Sequence, residues 1–179
     1  VVACSFSTNG VSDKKNQVLG CFKNKSELLG IVSSLSKQKS IDAVIVTPHW
    51  GEVEYKDSPD NANVKLGREL IEAGAKAVIG THPHVIQTWE KYINSKGKEG
   101  LIVFSTGNFI SQQFFKNKPK TRLGLMVFLG LSKKGNDVWV NGARYTPIWM
   151  ESSPLGVVPL EDSSASSSIV GSRLNSCVM

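Results

Sequence analysis

Imidazole is the most reactive chemistry in this 179-residue chain, and all three histidines fall in two short runs, Pro48-His49-Trp50-Gly51 and Gly80-Thr81-His82-Pro83-His84-Val85. Neutral imidazole is the commonest protein ligand for transition metals. A single histidine at an apolar edge is ordinarily a packed or surface residue. Here none lies elsewhere, and Pro83 alone separates two of them, fixing φ and presenting both rings from one turn. His49, His82 and His84 are therefore read as metal ligands. Three imidazoles can hold one zinc tetrahedrally with water in the fourth position. Glu52, Glu54 and Glu90 are the nearest carboxylates in sequence, and the plainer reading of each is a solvated surface group.

Strand ends must carry these residues. Ile41 to Thr47 and Ala75 to Gly80 are short, β-branched and flanked by Pro or Gly, which favours strands over a buried helix. Between them, Val64, Gly67, Leu70, Ile71 and Gly74 recur at helical spacing, with Asp60 or Asn61 to cap and Gly74 to stop. Strand, helix, strand makes a right-handed βαβ unit with parallel strands, so both histidine runs emerge at one sheet edge. There open α/β folds place ligands. A third strand, Leu101 to Ser105, leads into Thr106-Gly107-Asn108-Phe109 at the same edge. Gly107-Asn108 reads equally as a site element or as a plain turn. Ser26 to Lys39 is expected to be a helix with Leu28, Leu29, Ile31, Val32 and Leu35 facing the core and Ser26 as a possible cap. Leu123 to Leu131 and Asp137 to Tyr145, joined through Ser132-Lys133-Lys134-Gly135-Asn136, predict a hairpin that closes the sheet.

The ordered strings His49-Trp50-Gly51, Glu54-Tyr55, Pro59, Glu69-Leu70-Ile71, Ala73-Gly74-Ala75, Val78 to Gln87 and Ser105 to Ile110 resemble the bacterial capsule-synthesis protein family CapA. Thr8-Asn9-Gly10 and Tyr145-Thr146-Pro147 extend the likeness over residues 1–150. Two residues, Glu52 and Val53, separate Gly51 from Glu54 where the family has one; Asn63 replaces a common glutamine and Thr106 a common leucine. The family's amino-terminal half, with aspartate and asparagine ligands and an Asn-Asn-His run, has no counterpart here, so the chain looks like its carboxy-terminal half. The resemblance implies poly-γ-glutamate synthesis and export at the bacterial cell surface. It implies an α/β fold similar to half of a calcineurin-like metallophosphoesterase αββα sandwich, a mixed sheet with a βαβ unit and a C-terminal hairpin. By the same likeness divalent ions (Zn, Mn or Fe) would sit at the strand ends, with His49 and His82 on one and His84 on another. Three alternatives follow: a capsule-polymer biosynthesis protein, a metal-dependent phosphoesterase in which His49 or Asn108 steadies developing charge, or a non-catalytic module binding an anionic polymer. Two-metal hydrolysis needs a bridging carboxylate that three imidazoles do not provide.

Composition sets the surroundings. With 40% hydrophobic residues the chain can bury one sizeable core. No run is apolar enough to span a bilayer. Val1 opens directly in a strand-like stretch, so any targeting signal, or any link to membrane-associated capsule machinery, is expected upstream. The net charge of +6 favours an anionic polymer or phosphate-bearing substrate, with Lys91, Lys96 and Lys98 and then Lys116, Lys118, Lys120 and Arg122 as the basic clusters. Nucleic acid is not expected, since the basic stretches lack aromatic interleaving. Cys4, Cys21 and Cys177 have no metal-type spacing, and Cys4 in an apolar strand reads as a reduced, buried thiol. Residues 1–150 read as the folded domain. From Glu151 onward the serine-rich composition reads as a mobile tail or irregular extension.

Overall fold

A computed structural model of the protein describes residues 1–113 and 118–162. The chain runs β1 (Val2–Ser5), α1 (Lys25–Ser36), β2 (Ile45–His49), α2 (Asn61–Glu72), β3 (Ala77–Ile79), β4 (Trp89–Ile93), β5 (Glu99–Val103), β6 (Leu123–Lys134), β7 (Asp137–Ser152) and β8 (Leu155–Pro159). Five strands form one sheet in the order β1-β2-β3-β5-β4, and the last three form a second, in the order β6-β7-β8. β1, β2, β3 and β5 are mutually parallel, and β4 returns antiparallel to β5. The expected βαβ unit is thus present as β2-α2-β3.

Period-two burial decides which layer each side chain joins. Val46, Val78 and Ile102 face one way, into a core completed by Leu28 and Val32 of α1 and Leu66, Leu70 and Ile71 of α2. Their neighbours Ile45, Ala77, Ile79, Leu101 and Val103 face the other way, against Leu129, Val140 and Ala143 of the second sheet. The described layers are therefore helices, mixed sheet and antiparallel sheet. Gly80 makes the central packing possible: a Cβ there would stand 2.2 Å from the Phe104 carbonyl oxygen and 2.5 Å from Trp50 Nε1. Those two groups hydrogen-bond to each other at 2.9 Å, and Trp50, directly after His49, is fully buried.

Four expectations are corrected. The hairpin does not close the first sheet; β6 and β7 pair with each other and with β8 as a separate layer, because their inward residues pack face to face on the first sheet. Glu151 onward is not a tail as far as Asp162, since β7 continues to Ser152, β8 pairs with it from Ile148 to Ser152, and Leu160 is buried beside Trp149. The remaining serine-rich stretch, 163–179, and with it Cys177, lies outside the described residues. Cys4 is not a free thiol: it forms a disulfide with Cys21, the two Cα atoms 5.0 Å apart. Sequence spacing could not show this, because the partner is brought alongside by the Ser5–Gly20 bridge and the Cys21 N–H bond to Ser5 O. Finally, α1 starts at Lys25 after Asn24, so Ser26 is inside the helix and is not its cap.

Candidate metal centre

The parallel strands deliver the three histidines to one edge. His49 ends β2 and bridges Thr81, the residue after Gly80 beyond β3. The chain then turns through His82-Pro83-His84. Pro83 does not work alone here: His82 and His84 both take positive φ, 104° and 60°, a region costly for side chains with a Cβ and often found at functional sites. Asn108 arrives from the far side of β5, after Gly107, where φ is 72° and a Cβ would meet the Leu123 carbonyl oxygen at 2.5 Å. Gly107 is needed for the turn, and Asn108 nonetheless comes within hydrogen-bond distance of His84.

The hydrogen bonds assign the tautomers. Thr81 Oγ1 donates to Pro48 O at 3.3 Å, so it accepts from His49 Nδ1 at 3.2 Å, which leaves the His49 lone pair on Nε2. His82 Nδ1, 3.1 Å away, donates to that lone pair and keeps its own on Nε2. On the other side Asn108 Nδ2 donates to Thr121 O at 2.9 Å and to Gln113 Oε1 at 3.2 Å, so its Oδ1 is the atom that accepts from His84 Nδ1 at 2.9 Å. His84 is likewise left with its lone pair on Nε2. A carboxylate completes the group: Glu54 Oε1 lies 3.8 Å from His84 Nε2. One donor atom from each of Glu54, His82 and His84 lies within 4.8 Å of the others, a set that can hold a metal ion.

This grouping differs from the one the resemblance implied. His82 and His84 stand together with Glu54, while His49 is set behind His82, its Nε2 engaged by His82 Nδ1. Asn108 holds His84 by its ring nitrogen. Glu54, for which a solvated surface reading was the plainer one, joins the cluster because loop folding brings it there; the Glu54-Tyr55 string of the resemblance was the one signal of it. Glu90 does not join it and pairs with Arg68 at 2.8 Å, and Glu52 is exposed.

Burial tunes the imidazoles. It holds His49 below the usual imidazole range, with His82 and His84 adding to the effect. Burial also lowers His82, against an opposing pull from Glu54. Both are therefore neutral and able to ligate at lower pH than a solvated histidine. Burial raises the Tyr55 phenol, and its hydrogen bond to Glu54 raises it further. The Tyr55 ring stacks on His84 at 5.7 Å, and Lys118 Nζ stands 3.6 Å from the Tyr55 centroid. Several of the other clustered basic residues are occupied within the fold. Lys120 pairs with Asp57, Lys98 with Asp137 and Lys91 with Glu99. Arg122 donates to Met150 O at 2.8 and 2.6 Å and lies over Trp149. Lys116 lies outside the described residues.

Comparison with known proteins adds a family. A family model for the bacterial capsule synthesis protein PGA_cap matches residues 4–113, which include every residue of this cluster. The capsule biosynthesis protein CapA of Bacillus anthracis is 39% identical over 77 residues, 43% of this chain and 17% of that protein. The PGA biosynthesis protein CapA of Bacillus subtilis (strain 168) is 33% identical over 129 residues, 72% of this chain and 31% of that protein. The chain thus matches less than a third of the length of either relative. Among solved structures, that of a hypothetical protein from Thermus thermophilus aligns at 18% identity with a TM-score of 0.40, covering 74% of this chain and 52% of that one.

Proposed function

The chain belongs to the bacterial capsule synthesis protein PGA_cap family, and from that premise we propose that it serves capsule or related surface-polymer biosynthesis through a divalent-metal centre on Glu54, His82 and His84. The observation that carries this reading is the donor set: two imidazoles whose Nδ1 atoms are both committed to neighbours, leaving each a lone pair on Nε2, with that of His84 3.8 Å from Glu54 Oε1 and a donor atom of His82 within 4.8 Å of both. Ligating histidines typically give their other ring nitrogen to such a partner. Two nitrogens and one oxygen suit zinc, manganese or iron. The ion would supply positive charge to bind and polarise an anionic oxygen. The chain's own residues do the rest: Asn108 fixes the ring of His84, His49 fixes that of His82, and Lys118 adds a cation at the Tyr55 side.

The ligand class that fits is a carboxylate- or phosphate-bearing polymer such as poly-γ-glutamate. Glu54 is the one carboxylate of the metal-capable group among the described residues. We read the three described layers as the corresponding part of a metallophosphoesterase-like sandwich. A location outside the cytoplasm is supported by the Cys4–Cys21 disulfide, a bond that persists in oxidising compartments; no described helix is long and apolar enough to cross a membrane.

Elemental analysis and calorimetric titration with Zn²⁺ or Mn²⁺ test the centre. His82→Ala and His84→Ala are expected to lose bound metal, and Glu54→Ala to keep a weakened but still measurable affinity. His49→Ala and Asn108→Ala are expected to bind about 10–100-fold more weakly, as losses of outer partners do. Unchanged metal content in both His82→Ala and His84→Ala overturns the assignment.

A further inference from the structure

We infer that Gln87 is the positioning residue that seats Glu54 in the metal centre, by clamping the loop that carries it; this rests on the metal reading above. The loop between β2 and α2 has no strand partner to set its course. It is also bent at an unfavourable point, since Tyr55, next to Glu54, takes φ 64°. Something outside the loop must hold that bend. The Gln87 carboxamide does so: its Nε2 donates to Lys56 O at 2.9 Å and to Ser58 O at 3.1 Å. Pro83 O, accepting from Tyr55 N–H at 2.8 Å, adds a third tie from the same segment.

The frame behind the clamp is rigid. Gln87 is 4% exposed, and its own N–H bonds Ser105 O at 3.1 Å, just beyond β5. It lies three residues after His84 in one continuous segment. The clamp therefore joins the carboxylate's loop to the segment carrying both imidazoles, so the three donors move as one body. Preorganising a donor set in this way raises affinity without adding a contact to the ion. The hydrogen bonds of the Gln87 carboxamide go to the loop backbone and not to the three donor groups, which makes it a positioning residue and not a ligand.

A double-mutant cycle on the full 179-residue chain tests this. Zn²⁺ affinity would be measured for wild type, Gln87→Ala, Glu54→Ala and the double variant, with Gln87→Met as a near-isosteric change that removes the donors if the alanine variant folds poorly. Removing the clamp is expected to weaken Zn²⁺ binding about tenfold or more, yet to have no further effect once Glu54 is alanine. Hydrogen exchange at residues 55–58 should quicken. Affinity within twofold of wild type, or an equal loss in both backgrounds, overturns the inference, because a merely structural glutamine gives additive losses. Should the wild-type chain take up no Zn²⁺, the metal reading fails and the inference with it. Unchanged exchange at 55–58 overturns the clamp alone, whatever the metal result.

Discussion

His49 and His82 are both held below the ordinary imidazole value of 6.5, chiefly by burial. Their sign in folding follows directly. A lowered folded pKa means that the unfolded chain binds more protons as pH falls below 6.5, so the stability from keeping these rings neutral is fully present above that value. It is lost as pH drops through the folded pKa. Stability is therefore expected to fall as the pH goes from 7 toward 5, and His49→Gln, which cannot take the proton, should flatten that slope. Denaturant melts across this range provide the check; an unaltered slope in the variant would show that the His49 ring is not a source of it. At this scale the sequence was legible in part. His82 and His84 are conspicuous because Pro83 alone lies between them, whereas Glu54 has only local context, and its place depends on Tyr55 and on Gln87, 33 positions further along.

Elements show a similar division. α2 is readable because Val64, Gly67, Leu70, Ile71 and Gly74 recur at helical spacing, and Asn61–Glu72 is the helix found, with Leu66 also buried. β4 was not anticipated: Trp89–Ile93 alternates weakly and carries two charged residues, and it becomes a strand by pairing with β5 from Glu99 to Val103. The disulfide ties β1, an edge strand, to the turn before α1. Cys21 is fully buried and Cys4 nearly so, at 6% exposure. Closing a loop across a separation of 17 residues removes unfolded-state freedom, so Cys4→Ser with Cys21→Ser should lower stability by about 3 kcal/mol. Urea unfolding of that variant, beside wild type with and without reductant, measures it. If wild type reacts fully with a thiol reagent after denaturation without reductant, the bond is not formed in the protein.

For the whole molecule, the +6 net charge remains the argument for an anionic partner, although pairing distributes it differently from the sequence clusters. Arg122 is part of the framework. Its loss would remove both of its hydrogen bonds to the buried Met150 carbonyl, at a cost of about 1–3 kcal/mol. Charge removal is therefore better confined to Lys118 and Lys120, beside the loop of Tyr55 and Asp57. Binding of poly-γ-glutamate is expected to weaken as salt rises, since screening acts over about 8 Å at physiological ionic strength. Lys118→Ser with Lys120→Ser should reduce both the affinity and its salt dependence. Fluorescence anisotropy of labelled polymer would report this, and identical salt curves for variant and wild type would remove these lysines from polymer recognition.

The sequence by itself determined the parallel core and the edge at which the histidines meet. Strand and helix periodicities are local, and a right-handed crossover then leaves both runs at one end of the sheet. It also carried the family, through motifs kept in order from His49 to Ile110. Tertiary structure alone decided which groups converge: Glu54 beside His84, His49 behind His82, Asn108 bonded to a ring nitrogen, and Cys4 bonded to Cys21. Each depends on a backbone path set by distant partners, such as the positive φ of Tyr55, His82 and His84. Such a conformation is not preferred by the residue that adopts it, so local sequence does not announce it; the surrounding fold imposes it.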